Sequence, residues 1–167
     1  MNRKTIRSGL KINIPLLLAA LIISSFFSCN LKVVSEDYRS FKNAQWPQDT
    51  VMVFKFDIPD STRIYSLFLN VRNEGRYPYS NLYLFISVTP PRGKVLQDTV
   101  ELTLADIHGK WLGSGLGDLY ERQYPYKENI FFPQKGSYTI KVRQGMRTDD
   151  QVLRGIHDFG ISLKKVR

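Results

Sequence analysis

The sequence has few of the residues that form disulfides, metal centres and common catalytic sites. Cys29 is its single cysteine, so the chain cannot form an internal disulfide and packing must stabilise the fold. Its two histidines, His108 and His157, lie 49 residues apart. The spacings typical of zinc sites, such as H-x-x-H, C-x-x-C and H-E-x-x-H, do not occur. These absences predict a protein with no catalytic residues, no metal site, no cofactor and no small-molecule substrate.

The chain also lacks any long run of one charge. It has 24 basic and 15 acidic residues and a net charge of +9, but four of the basic residues lie at positions 3 to 11. Without those four the net charge is +5, and no block of five or more basic residues remains. The pattern therefore indicates no nucleic-acid partner. A modest positive charge can favour anionic lipid headgroups or an acidic glycan, although a solvated surface is the commoner explanation.

Residues 1–28 have the organisation of a bacterial lipoprotein signal peptide. A basic region precedes the apolar run at 12–27, and Ser28 stands directly before Cys29. A small residue at that place suits cleavage, and the Cys29 thiol can then carry a diacylglycerol thioether. Phe26 and Phe27 are less usual in such a box. The alternatives are plain secretion and an uncleaved anchor, but the apolar run is shorter than the roughly 20 residues that span a bilayer.

The residues after Cys29 bear on the location of the protein. Asn30 follows the cysteine where a simple signal for retention in the inner membrane would have aspartate. In some bacteria, surface-exposed lipoproteins often carry acidic residues directly after the cysteine. In this sequence the first acidic residues after Cys29 are Glu36 and Asp37. We therefore expect a cell-envelope protein held by its lipid in the outer membrane, with the domain facing the periplasm.

The mature chain has the pattern of a single all-β domain. Residues 29–46 lack clean periodicity, and we expect a lipidated N-terminus and tether that becomes ordered near its end. Residues 47–167 contain short alternating segments separated by turn signals, which is typical of an antiparallel β-sandwich of jelly-roll or immunoglobulin-like type. A helical turn is conceivable only at 147–156. The predicted strands are 51–58, 64–71, 81–88, 99–104, 138–142 and 160–166.

Two segments carry the candidate contact residues. Tyr77 and Tyr79 lie in the run YPYSN, and Trp111 and Asp118 enclose the run LGSGLG. Tyrosine and tryptophan often anchor protein partners, and tyrosines can also stack on sugar rings, but equally these rings can pack locally. The glycines resemble a phosphate-binding loop, yet the βαβ context for one is missing. We expect instead a bulge or a close backbone crossing that glycine permits, with Trp111 covering the crossing.

Several blocks of sequence follow one another in an order typical of one family. With the lipobox, they resemble the GldH family of gliding-motility lipoproteins from the Bacteroidota, over essentially the whole mature chain. One departure is QGMR at 144–147, where a QAMR-type run is expected. The blocks are RNEGRYPYSNLYLFI (72–86), DTVELTLAD (98–106), GKWLGSGLGDLYE (109–121), FPQKGSYTIKVRQGMR (132–147) and LRGIHDFGISL (153–163).

The resemblance implies a non-enzymatic component of the gliding apparatus, which is coupled to type IX secretion. Its partners would be other envelope proteins of the gliding and secretion machinery, and Cys29 is the only functional residue that the resemblance carries over. Two other functions remain open from the residues alone. One is a glycan-binding surface lipoprotein that uses exposed tyrosines. The other is a hydrolase, which would need a histidine within hydrogen-bond range of a carboxylate.

Overall fold

The computed structural model describes residues 31–166, and these form an almost entirely β structure. A single 3-10 turn, Lys42–Ala44, interrupts the strands. Within the described residues, no helix is long and apolar enough to cross a membrane. The strands are β1 (Leu31–Ser40), β2 (Gln45–Pro47), β3 (Met52–Ile58), β4 (Ile64–Glu74), β5 (Asn81–Thr89), β6 (Leu96–Thr103), β7 (Leu119–Phe131), β8 (Gly136–Gln144), β9 (Val152–Arg154) and β10 (Ile156–Val166).

Two four-stranded sheets pack face to face as a sandwich. Sheet A has the strand order β1-β10-β4-β7 and sheet C has the order β3-β8-β5-β6, and every neighbouring pair is antiparallel. The short strands β2 and β9 form a separate ribbon. Counting the eight long strands along the chain, the orders are 1-8-3-6 and 2-7-4-5, which is the jelly-roll arrangement. The predicted antiparallel β-sandwich is confirmed, and its topology is the jelly roll.

Alternating side chains build the core between the sheets. In β3, Met52, Phe54, Phe56 and Ile58 are buried while the intervening side chains are exposed, as the sequence pattern predicts. A period of two places one apolar face of each strand against the other sheet. Strand β4 departs from alternation because it lies inside sheet A and is buried on both faces over Tyr65–Val71. Since each large apolar side chain contributes about 1.5–3 kcal/mol on burial, this core is the main source of stability.

The predicted tether at 29–46 is wrong over most of its length. Leu31–Ser40 is strand β1, which pairs with β10 from Leu31 opposite Val166 to Ser40 opposite Asp158. A β-bulge between Val33 and Ser35 shifts the register, and a bulge interrupts the alternation by which a strand is identified in a sequence. Residues 147–156 form no helical turn, since β9 lies there. The predicted signal peptide, residues 1–28, and the predicted lipidation site Cys29 lie outside the described residues.

The jelly roll sends its loops alternately to two opposite ends. At the end that we call the amino-terminal end, β1 begins and β10 finishes, and the loops 59–63, 90–95 and 132–135 join strands. At the other end, here called the distal end, lie the connections 41–51, 75–80, 104–118 and 145–155. Because neighbouring strands pair in a regular antiparallel register, the position of a loop in the sequence determines at which end of the sandwich the loop lies.

Candidate protein-contact surface

The longest distal loop, 104–118, is held in a fixed shape by its own polar groups. The carboxylate of Asp106 accepts hydrogen bonds from the backbone N–H groups of His108, at 2.8 Å, and Lys110, at 2.9 Å. The Asp106 N–H in turn donates to the Lys110 carbonyl at 2.9 Å. A short aspartate side chain commonly stabilises a tight turn in this way. The turn leaves Ile107 at its tip with 95% of its surface exposed.

The second half of this loop lies directly against the start of β7. Ser114 and Glu121 exchange two backbone hydrogen bonds of 3.0 and 2.8 Å. A Cβ on Gly115 would stand 1.7 Å from the Leu119 carbonyl oxygen, so only glycine fits there. The predicted close backbone crossing is therefore present. Beyond it Leu116 points away from the domain, with 93% of its surface exposed.

Beneath the loop, the aromatic residues singled out in the sequence form one cluster. The ring centroids of Tyr77 and Tyr79 are 5.7 Å apart, and that of Trp111 is 6.2 Å from Tyr77. The Tyr77 hydroxyl donates to the Asn81 carbonyl at 2.8 Å, and burial raises the pKa of that hydroxyl. Tyr77 is buried, and Tyr79 and Trp111 are half-buried against the core. The aromatic cluster therefore lies between the loop and the hydrophobic core and packs against both.

Asp118 joins the loop to the neighbouring connection 75–80. Its backbone carbonyl accepts a hydrogen bond from the Gly75 N–H at 2.9 Å. A Cβ at position 75 would lie only 2.0 Å from Asp118 Oδ1, so the Asp118 side chain fills the space beside Gly75. The side chain itself is exposed. The structure thus brings all four predicted contact residues to the distal end, with Asp118 the most open to solvent.

The same geometry bears on the glycan alternative. A sugar-binding platform needs two or three exposed rings in one plane, whereas the Tyr77 and Tyr79 planes are 71° apart and the Tyr77 and Trp111 planes are 50° apart. Since Tyr77 is also buried, the run YPYSN does not present a flat aromatic surface.

One histidine does lie beside a carboxylate, on the outer face of sheet A. His157 Nδ1 is 3.0 Å from Asp158 Oδ2, and Arg72 contacts the same oxygen at 2.8 Å. Arg72 also forms an ion pair of 2.7 Å with Glu121. Burial by itself raises the pKa of Asp158, but hydrogen bonds from Ser40 and His157 and the charge of Arg72 lower it overall. Asp158 therefore acts as the acceptor of a structural ion-pair network.

A second row of polar side chains crosses sheet A next to that network. Asn70 donates to the Ser162 hydroxyl at 2.6 Å, and Gln123 donates to the Asn70 carbonyl oxygen at 2.7 Å. Ser162 donates to Glu36 on β1. The row ties all four strands of the sheet together. Among residues 31–166, no group of three or more histidine, cysteine or acidic side chains is placed to hold a metal ion.

Comparison with known proteins decides the family. The sequence matches the family described as GldH lipoprotein over residues 33–163. The protein named gliding motility lipoprotein GldH homolog from Christiangramia forsetii is 40% identical over 145 residues, which cover 84% of this chain and 88% of that protein. Gliding motility lipoprotein GldH from Flavobacterium johnsoniae is 36% identical, over 90% of this chain and 94% of that protein. This chain belongs to the GldH lipoprotein family.

The family and both relatives are named as lipoproteins, which implies a lipid-anchored protein of the cell envelope. The matched residues 33–163 include most of β1, so the family region also contains the strand that sequence reasoning assigned to a tether. Among solved structures, an arabinose-bound α-L-arabinofuranosidase is 13% identical to this chain with a TM-score of 0.35. The match covers 82% of this chain and 23% of the arabinofuranosidase chain.

Sequence reasoning missed the two most exposed large apolar side chains among residues 31–166. Ile107 and Leu116 project from the distal loop, and Leu112 between them is 41% exposed. A signal for them exists, because each lies in a run of polar and glycine residues without the alternation that would bury it in a strand. The tyrosines drew attention by residue type, whereas these aliphatic side chains are more open to solvent.

Proposed function

We propose that this chain is a non-enzymatic lipoprotein component of the gliding-motility machinery, coupled to type IX secretion, that acts through protein contacts. The observation that supports it most is the match to the GldH family over nearly the whole domain, with relatives named for gliding motility. The resemblance noted in the sequence supplies the coupling to secretion. The polar clusters described above serve as strand-to-strand contacts, which fits a protein without a catalytic role.

The attachment that we propose is a lipid on Cys29, in the outer membrane and with the domain in the periplasm. The signal peptide and the residue after Cys29 support this location. Protease treatment of intact cells tests the orientation. If the protease removes the domain from whole cells, it faces the outside and the periplasmic assignment is overturned.

The partner contact that we propose is centred on Ile107 and Leu116. A loop held by internal hydrogen bonds loses little conformational freedom when a partner binds, and two exposed aliphatic side chains offer apolar area to bury. Tyr77, Tyr79 and Trp111 fix the loop from below, and Asp118 contributes a charge at its edge. In this role the sequence-predicted residues position the contact, and the loop tips make it.

A complementation experiment in a deletion strain tests the function. Colony spreading and export of one secreted adhesin are scored together for the wild-type gene, for Cys29→Ala and for the double variant Ile107→Ser/Leu116→Ser. We expect the deletion to abolish both activities, and both variants to fail to restore them. Normal spreading and export in the deletion strain would overturn the motility role.

A matched control separates the apolar tips from the loop as a whole. His108→Ser/Lys110→Ser changes two exposed residues of the same loop and leaves the backbone hydrogen bonds to Asp106 possible. We expect this variant to complement fully. If the Ile107→Ser/Leu116→Ser protein is stably present in the membrane and complements as well as the control, the loop is not the contact surface.

A further inference from the structure

Basic side chains that are scattered in the sequence meet at the amino-terminal end of the sandwich. Among the described residues of its loops 59–63, 90–95 and 132–135 and its strand ends 31–34 and 164–166, seven are basic and one, Asp60, is acidic. Asp60 already forms an ion pair with Arg63 at 3.4 Å. The basic residues are Lys32, Arg63, Arg92, Lys94, Lys135, Lys164 and Lys165.

The distal end has no such excess. Its described connections, 41–51, 75–80, 104–118 and 145–155, contain five lysines or arginines and five acidic residues. The charge of the domain is therefore polarised along the strand direction. A field of this kind orients a protein in front of a charged surface.

Exposed apolar side chains accompany the basic ones. Leu96 is 65% exposed and Phe131 is 59% exposed, and Val33, Val34 and Val95 are also open to solvent at this end. Between the starts of β6 and β8 and the end of β7 lies a groove of about 520 Å³. Its lining is mostly apolar, with Leu96 and Phe131 among its residues, and also includes Arg92 and Lys94. Its one acidic residue, Asp98, is paired with Lys127 at 2.9 Å. A mixed basic and apolar surface matches the headgroup region of an anionic bilayer, which offers negative charge above an apolar interior.

The chain length before β1 brings this end to the membrane. Leu31, the first residue of β1, is two residues after Cys29, and two extended residues span at most about 7 Å. We propose that the amino-terminal end of the sandwich is a docking face for anionic phospholipid, which holds the domain against the bilayer with the distal end pointing away. The inference rests on acylation of Cys29 as proposed above.

The electrostatic part of the docking has an expected size. A basic residue near an anionic leaflet contributes about a five-fold change in the ratio of docked to undocked domains. Replacing Arg92, Lys94 and Lys135 by glutamine removes three such charges, so we expect this ratio to fall about 100-fold on anionic vesicles. High salt should also lower the ratio of docked to undocked domains, because the electrostatic screening length shrinks to about 3 Å at 1 M salt.

The single native cysteine makes the orientation measurable. Once Cys29 is acylated, Leu96→Cys at the amino-terminal end and Leu116→Cys at the distal end each provide one free thiol for a nitroxide label. The processed lipoprotein is reconstituted into vesicles of phosphatidylethanolamine and phosphatidylglycerol. Collision of each label with a water-soluble nickel chelate is then measured. We expect strong protection at position 96 and full accessibility at position 116.

Charge variants provide the second measurement. In the protein labelled at position 96, Arg92→Gln/Lys94→Gln/Lys135→Gln should lose the protection. The matched control Lys42→Gln/Lys110→Gln/Arg147→Gln, which removes three exposed charges from the distal end, should keep it. Vesicles of phosphatidylcholine alone should also leave position 96 accessible.

The outcomes distinguish the docking face from the anchor. Equal accessibility at positions 96 and 116 on anionic vesicles would overturn the docking face and leave the lipid anchor and the motility role intact. Protection at position 96 that survives the three amino-terminal glutamines would overturn its electrostatic basis. A mass spectrum without an acyl group on Cys29 would instead reject the anchor. In that case, binding of the unacylated protein to anionic vesicles, tested by flotation, decides the docking face independently.

Discussion

Arg72→Met tests whether the ion-pair network on sheet A stabilises the domain. Arg72 contacts Asp158 at 2.8 Å and Glu121 at 2.7 Å. The side chain of Asp158 is only 5% exposed, whereas that of Glu121 is 43% exposed. An exposed pair contributes about 0–1 kcal/mol, so most of the effect must come from Asp158.

The expected loss follows from the state of Asp158 after the substitution. A buried carboxylate without any partner costs about 3–5 kcal/mol, but Ser40 and His157 still donate to Asp158. We therefore expect the free energy of unfolding to fall by about 2 kcal/mol. For a domain of this size that corresponds to a decrease in Tm of about 7 °C.

A double-mutant cycle separates the pair from other effects of the change. Asp158→Asn removes the charge that Arg72 neutralises, so the double variant Arg72→Met/Asp158→Asn should be more stable than the two single losses predict. Urea unfolding of the mature chain, followed by fluorescence of the buried Trp46, provides each free energy. A loss below about 0.5 kcal/mol for Arg72→Met, or strictly additive effects, would refute the reasoning.

The same variant has a predicted pH dependence. The folded-state pKa of Asp158 lies below its ordinary value of 3.8. Stability from such a group is fully present above the unfolded pKa and is lost as the pH falls through the folded pKa. The difference in stability between wild type and Arg72→Met should therefore be constant near neutral pH and shrink below about pH 4.

Four further predictions concern the distal end and β1. Gly115→Ala should lower the free energy of unfolding by about 2 kcal/mol or more, because the added Cβ meets the Leu119 carbonyl. Gly109→Ala, where the space is open but φ is +80°, should cost only about 1 kcal/mol in the same urea titration. Tyr77→Phe should cost about 1 kcal/mol in thermal unfolding, since the carbonyl of the half-buried Asn81 loses its donor. Deleting 31–40 should leave the purified chain aggregated in size-exclusion chromatography, whereas removal of a mere tether would leave a monomer.

Strands such as β3 and β5 could be predicted from the sequence because apolar and polar residues alternate along them, and the apolar residues are the buried ones. Strand β3 alternates without error, and the predicted segment 81–88 differs from β5 by one residue. Strand β7 is different, because register shifts opposite Tyr65 and Leu67 and the presence of Pro125 break its alternation. Strands β2 and β9 have three residues each and exist only through their pairing, which a local pattern does not contain.

The candidate site shows a different limit of sequence reasoning. Residue type drew attention to the segments around Tyr77 and Trp111, and the fold brings these two segments together. It did not indicate that Tyr77 faces inward, because a tyrosine in a connection between strands can face either way until the neighbouring sheet and loops are known. Exposure of Ile107 and Leu116 also depends on tertiary structure, since a hydrogen-bonded turn and a glycine crossing prevent them from folding back.

The separation of the two ends connects the proposed surfaces. In a jelly roll, successive connections alternate between the ends, so charges that are distant in sequence can gather at one end while the other remains neutral. Strand β10 has 11 residues, and at about 3.3 Å per residue it spans about 35 Å. If the amino-terminal end lies on the bilayer, Ile107 and Leu116 stand at roughly that height above it. A partner would then meet the loop at a distance from the membrane determined by the rigid sandwich, because only Asn30 separates Cys29 from β1.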